Sequence, residues 1–123
     1  MTDIDDVAVR ARALVLADLT ATGATEPETV SMLEDAVSAR RGWAEAWPEG
    51  AAYVAGLVAQ DVQDQLLDTR GRWPVCPVCE DATHALFIHP ELGGPDPTWV
   101  CEDSGREVAP LGSLRSGDAP AAS

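Results

Sequence analysis

The stretch RWPVCPVCEDATHALFIHPELGGPDPTWVCEDSG, residues 72 to 105, holds all three cysteines and both histidines of the chain. A segment this short cannot bury enough surface to fold alone, so it needs a staple or a neighbour to pack on. Thiolates and imidazoles that converge on one point supply such a staple by binding a metal. Cys76-Pro-Val-Cys79 has the C-x-x-C spacing in which the backbone turns both sulfurs toward one point. His84-Ala-Leu-Phe-Ile-His89 then alternates and is rich in β-formers, a Pro- and Gly-rich turn follows, and Thr98-Trp-Val-Cys101 runs back. The pattern predicts an antiparallel hairpin that returns Cys101 toward the C-x-x-C.

This order resembles a zinc ribbon, a family in which a C-P-x-C knuckle leads into a β-hairpin whose second strand ends in W-x-C-x-x-C-G. Trp99-Val-Cys101 and Gly105 match that ending, while Ser104 stands where the fourth Cys would fall. The resemblance covers about residues 73 to 108 and implies one structural zinc ion. Pairing about a centre at residues 92 to 94 sets His84 beside Cys101 and Glu102, and leaves His89 five residues further along, on the order of 15 Å away. The expected ligands are therefore Cys76, Cys79, His84 and Cys101. Asp103, Ser104 or a water are alternatives for the fourth position. The C-x2-C-x4-H-x4-H spacing also resembles a zinc knuckle ending in His89, which would leave Cys101 out.

Other chemistries compete for the same residues. Cys76-Pro-Val-Cys79 is similar to a glutaredoxin-like C-P-x-C, but such a motif follows a strand and opens a helix, whereas helices precede it here. A zinc deaminase also carries P-C-x-x-C, yet needs a His upstream, and none precedes Cys76. Three buried apolar cysteines are the plain alternative. Asp61, Asp64 and Asp68 share one helical face and read as a solvated surface rather than an acid–base site.

Upstream the grammar is helical. Ile4, Val7, Ala11, Leu14 and Val15 recur at spacings of three and four. Thr25-Glu-Pro-Glu28 reads as a capping box, Val30, Leu33 and Val37 form a stripe, Arg40 and Arg41 suit a helix C-terminus, and Gly42 suggests a stop. A third helix is predicted from near Pro48, with Val54, Val58, Val62 and Leu66 along one side, ending at Arg70-Gly71. Trp43, Trp47 and Trp73 flank the joints and are expected to clamp helix against ribbon, whereas an exposed pair at Trp43 and Trp47 would mark a partner surface. The expected organisation is a helical domain over 1–71, a zinc-ribbon-like domain over 72–112 and a disordered tail over 113–123. The predicted fold class is α+β: three helices followed by a small zinc-ribbon β-hairpin.

Charge narrows the function. Twenty-one acids against eight basic residues give −13, with 4 basic against 13 acidic residues up to Thr69 and 4 against 8 after it. So negative a surface repels nucleic acid and anionic membrane and favours a basic protein partner or simple solubility. There is no Lys and no Asn beside abundant Ala and Arg, which reads as the codon usage of a GC-rich bacterium or its phage. The acidic start lacks the positive region of a signal peptide, no apolar run reaches the roughly 18 residues of a span, and the expected compartment is the cytoplasm. The expected function is a zinc-binding, non-catalytic adaptor or regulator acting on another protein. A thiol–disulfide redox protein using Cys76 and Cys79 is the first alternative, and an acidic nucleic-acid mimic that blocks a basic protein is the second.

Overall fold

A computed structural model describes residues 3–76, 84–90 and 96–114. Three helices, α1 (Ile4–Ala21), α2 (Pro27–Ala46) and α3 (Val54–Thr69), precede three short strands, β1 (Leu86–His89), β2 (Thr98–Cys101) and β3 (Glu107–Pro110). The fold is α+β. The strands form an antiparallel sheet in the order β1-β2-β3.

The apolar periodicity becomes the core directly. Val54, Val58, Val62 and Leu66 are all fully buried along α3, facing Ala11, Val15 and Leu19 of α1 and Leu33 and Ala36 of α2. Leu86, Ile88 and Trp99 of the sheet join the same cluster, so helices and sheet share one core. Gln63 on α3 ties the layers by donating to the carbonyls of Trp73 and Leu86, at 3.0 and 2.8 Å. Among the described residues no helix is long and apolar enough to cross a membrane.

Helix ends differ from the sequence expectation where tertiary contacts outweigh local signals. The Asp3 side chain caps α1, accepting from the Asp5 amide at 2.9 Å. The capping box at Thr25 does not form: α2 opens at Pro27 after Glu26, without a side-chain cap bond, and the Glu26 carboxylate meets Arg70 instead. Nor does Gly42 stop α2, which runs on to Ala46 because Ala44 is buried and Trp43 packs beyond it. That burial offsets the ~1 kcal/mol a helical glycine costs. Arg40 is thus mid-helix, and its guanidinium forks onto Asp61 of α3 at 2.7 and 2.8 Å. The chain from Pro48 first makes a 3-10 turn, Pro48–Tyr53, before α3 begins.

That turn wraps two of the tryptophans. Trp43 and Trp47 meet edge to face at 5.3 Å and Trp47 stacks on Tyr53, so this pair packs around the turn rather than clamping the sheet. Gly50 lies beneath them, and a Cβ there would come within 2.6 Å of the Trp43 ring. Gly50→Ala is expected to cost about 1–3 kcal/mol through overpacking, read as a lower urea midpoint at unchanged slope. Trp73 does clamp: it is buried, meets Trp99 edge to face at 5.6 Å, and its Nε1 donates to Thr22 Oγ1 at the end of α1.

Candidate metal centre

The pairing register decides which side chains can meet. In an antiparallel pair, residues directly opposite share a face, and each face takes alternate residues. Leu86 lies opposite Cys101 and Ile88 opposite Trp99, so these four point inward, and all are buried. The pairing centre lies half a residue beyond the midpoint expected from sequence, which leaves His84 on that inward face. Upstream, Val75 bridges Ala85, with the Cys76 amide donating to the His84 carbonyl at 2.9 Å and the Leu86 amide to the Pro74 carbonyl at 2.8 Å. Cys76 therefore lies opposite His84, on the same face as Cys101.

The three side chains converge at the end of the sheet. Cys76 Sγ, a His84 ring nitrogen and Cys101 Sγ all lie within 4.8 Å of one another, and His84 Nε2 is 3.3 Å from Cys101 Sγ. Ligands of a tetrahedral zinc at 2.0–2.3 Å stand roughly 3.5–3.8 Å apart, so the cluster has the size a metal needs. Both sulfurs are buried and neither is in a disulfide. Cys79, the fourth ligand expected from sequence, lies outside the described residues.

The turn after β2 tunes Cys101. The Gly105 amide closes on the Cys101 carbonyl at 2.8 Å, which brings the Ser104 amide to 3.4 Å from Cys101 Sγ. Hydrogen bonds from the Ser104 side chain and amide, joined by His84 and the Asp103 amide and opposed by burial, lower the Cys101 thiol to about 6. At neutral pH the thiolate predominates, which is the form that binds a metal. Asp103 and Ser104, weighed from sequence as fourth ligands, are exposed; Asp103 is not in the cluster, and the Ser104 amide donates to Cys101 Sγ. His89 is also exposed, at the opposite end of β1 and paired with Thr98, so the knuckle spacing that ends there is not the arrangement formed.

A second polar constellation went unforeseen. Asp18, on the inward face of α1, is fully buried. Its Oδ2 accepts from Trp99 Nε1 and from the Gly112 amide, both at 2.7 Å, and its Oδ1 from the Leu114 amide at 3.0 Å. Burial pushes this carboxyl above its ordinary range, and the three N–H donors pull it back only in part. The carboxylate thus pins β2 and the strap Leu111–Leu114 to the bundle. Gly112 carries the strap past α1 at φ +92°, where a Cβ would lie 2.5 Å from Leu14 Cδ2. Ser113 and Leu114, which begin the expected disordered tail, belong to this strap, while 115–123 lie outside the described residues.

Fold and site together define a small α+β protein whose sheet gathers two thiols and an imidazole against a three-helix bundle. The chain belongs to a family described as a domain of unknown function, DUF8819, which it matches over residues 4–111, helices and sheet alike. No curated protein and no solved structure matches it.

Proposed function

We propose that this is a zinc-binding, non-catalytic protein of zinc-ribbon type that acts as an adaptor or regulator through contacts with another protein. The observation that carries the reading is the convergence of Cys76, His84 and Cys101 on one inward face, within 4.8 Å of one another. Cys79, expected from sequence as the fourth donor, would complete a Cys₃His set, the donor number of a structural zinc ion. Burial of both described sulfurs beside the shared core supports a metal that holds the fold rather than one that meets a substrate. The acidic surface supports a basic protein surface as the target.

Native mass spectrometry of untagged protein tests the reading. One zinc per chain, lost on chelation, is the expected result. A metal-free chain, two hydrogens light from a Cys76–Cys79 disulfide, would sink it in favour of the redox alternative. Cys101→Ser and His84→Ala are each expected to weaken zinc binding at least a hundredfold in a chelator competition, while His89→Ala leaves it unchanged. Equal losses from all three variants would show that the ligand set is wrong.

A further inference from the structure

We infer that the groove between α3 and the outward face of the sheet is a docking site for a segment of another protein that presents one bulky apolar side chain flanked by Arg or Lys. This rests on the adaptor reading and names the chemistry of its partner. The groove has a volume of about 200 Å³ and is lined by Leu67, Ala85 and Phe87, with Asp64, Glu102 and Arg72 around them. That is smaller than the ~300–1,000 Å³ of small-molecule sites, and suits an inserted side chain.

Its apolar character follows from the same register that builds the metal centre. Ala85 and Phe87 alternate with the inward-facing His84, Leu86 and Ile88, so they point outward, and Val75, paired with Ala85, shares their face. Leu67 is 58% exposed and Val75 43%, two of the four large hydrophobics exposed among the described residues. Leu67 lies in the groove lining with Ala85 and Phe87, while Val75 stands outside it, beside Ala85 on the same face.

Charge selects the occupant. Asp64 and Glu102 outnumber Arg72 in the lining, and the chain as a whole carries −13. The C-terminal end of α3 adjoins the groove, and its last turn holds no basic residue, so the partial negative charge of its carbonyls favours an incoming cation. Arg70, just beyond, is turned to Glu26. An apolar anchor with flanking cations matches both the patch and its rim.

The test is a selection of random twelve-residue peptides against the full chain, followed by fluorescence anisotropy of the enriched peptide with the parent, Leu67→Asp and Asp64→Lys. Leu67 and Asp64 are exposed, so both variants should keep the parent far-ultraviolet spectrum. Enriched peptides are expected to carry Arg or Lys around Leu, Phe or Trp. Affinity should fall at least tenfold in Leu67→Asp and about fivefold in Asp64→Lys, and should weaken as salt is raised. No enrichment, enrichment of peptides without basic residues, or equal binding by both variants overturns the proposal. So does a concentration-dependent dimer that Leu67→Asp abolishes, which would make a second copy the occupant. Metal content is measured separately: peptide binding by a chain that never holds zinc defeats the zinc reading and leaves the groove, and a zinc-loaded chain that binds no peptide does the reverse.

Discussion

Asp18→Ala is expected to lower stability by about 3–5 kcal/mol, because it leaves three buried N–H donors without their acceptor. The loss is large because one carboxylate satisfies three N–H groups, from Trp99, Gly112 and Leu114. Each donor left buried without a partner costs about 1–3 kcal/mol, and the strap can escape that only by peeling away and exposing Leu111 and Leu114. Against a total of roughly 5–15 kcal/mol, the variant would sit near the edge of folding. Guanidinium titration of parent and variant measures the difference, and a change below 1 kcal/mol would show that the network is not needed. Asp18→Asn keeps the shape but turns an NH₂ group toward donors, so a smaller loss is expected.

The same carboxylate has a pH signature. Its native value lies above the ordinary one near 4, so between the two the native state holds a proton that the unfolded state has released. Its contribution to stability therefore falls as pH rises through that window, and is complete below it. The parent should lose stability there relative to Asp18→Asn. An identical pH slope in both would count against this assignment.

On the zinc-binding reading proposed above, removal of the metal is expected to have the largest effect of all. Structural zinc in small fingers contributes apparent free energies of about 10–16 kcal/mol, as much as the entire stability of an ordinary domain. Trp73 and Trp99 report on it directly, because they meet edge to face at 5.6 Å, three residues before Cys76 and two before Cys101. Chelation should abolish the near-ultraviolet circular dichroism of this pair. Leu86, Ile88 and Trp99 share a core with α3, so the thermal transition of the helices should move down with it. A preserved tryptophan signal in protein shown to be metal-free would mean that packing alone holds the sheet.

What could be read from the sequence was what the chain states locally. The valine stripe of α3 is a spacing rule, and all four of its members are buried. The meeting of His84 with Cys101 followed from hairpin symmetry, and that of Cys76 with His84 needed only one further bridge. Gly42 misled because Trp43, just past it, finds partners at Trp47 and Gly50, four and seven residues on, which no pattern around the glycine announces. β3 gave no signal, since Glu-Val-Ala-Pro is four residues long, ends in proline and shows little alternation. Asp18 stood in the sequence only as an interruption of an apolar run. Its helical phase, three after Val15 and seven after Ala11, did point inward, and a buried acid always implies donors. The donors themselves lie 81, 94 and 96 residues away, beyond any local pattern.

That separation governs how the protein must be made. During synthesis Asp18 emerges long before Trp99, Gly112 and Leu114 exist, at a stage when α1, α2 and α3 can already associate. Until the last of these residues leaves the ribosome, the nascent bundle carries an unmatched carboxylate in the middle of an apolar face. Trp99 and the strap Leu111–Leu114 supply the three N–H donors that match it.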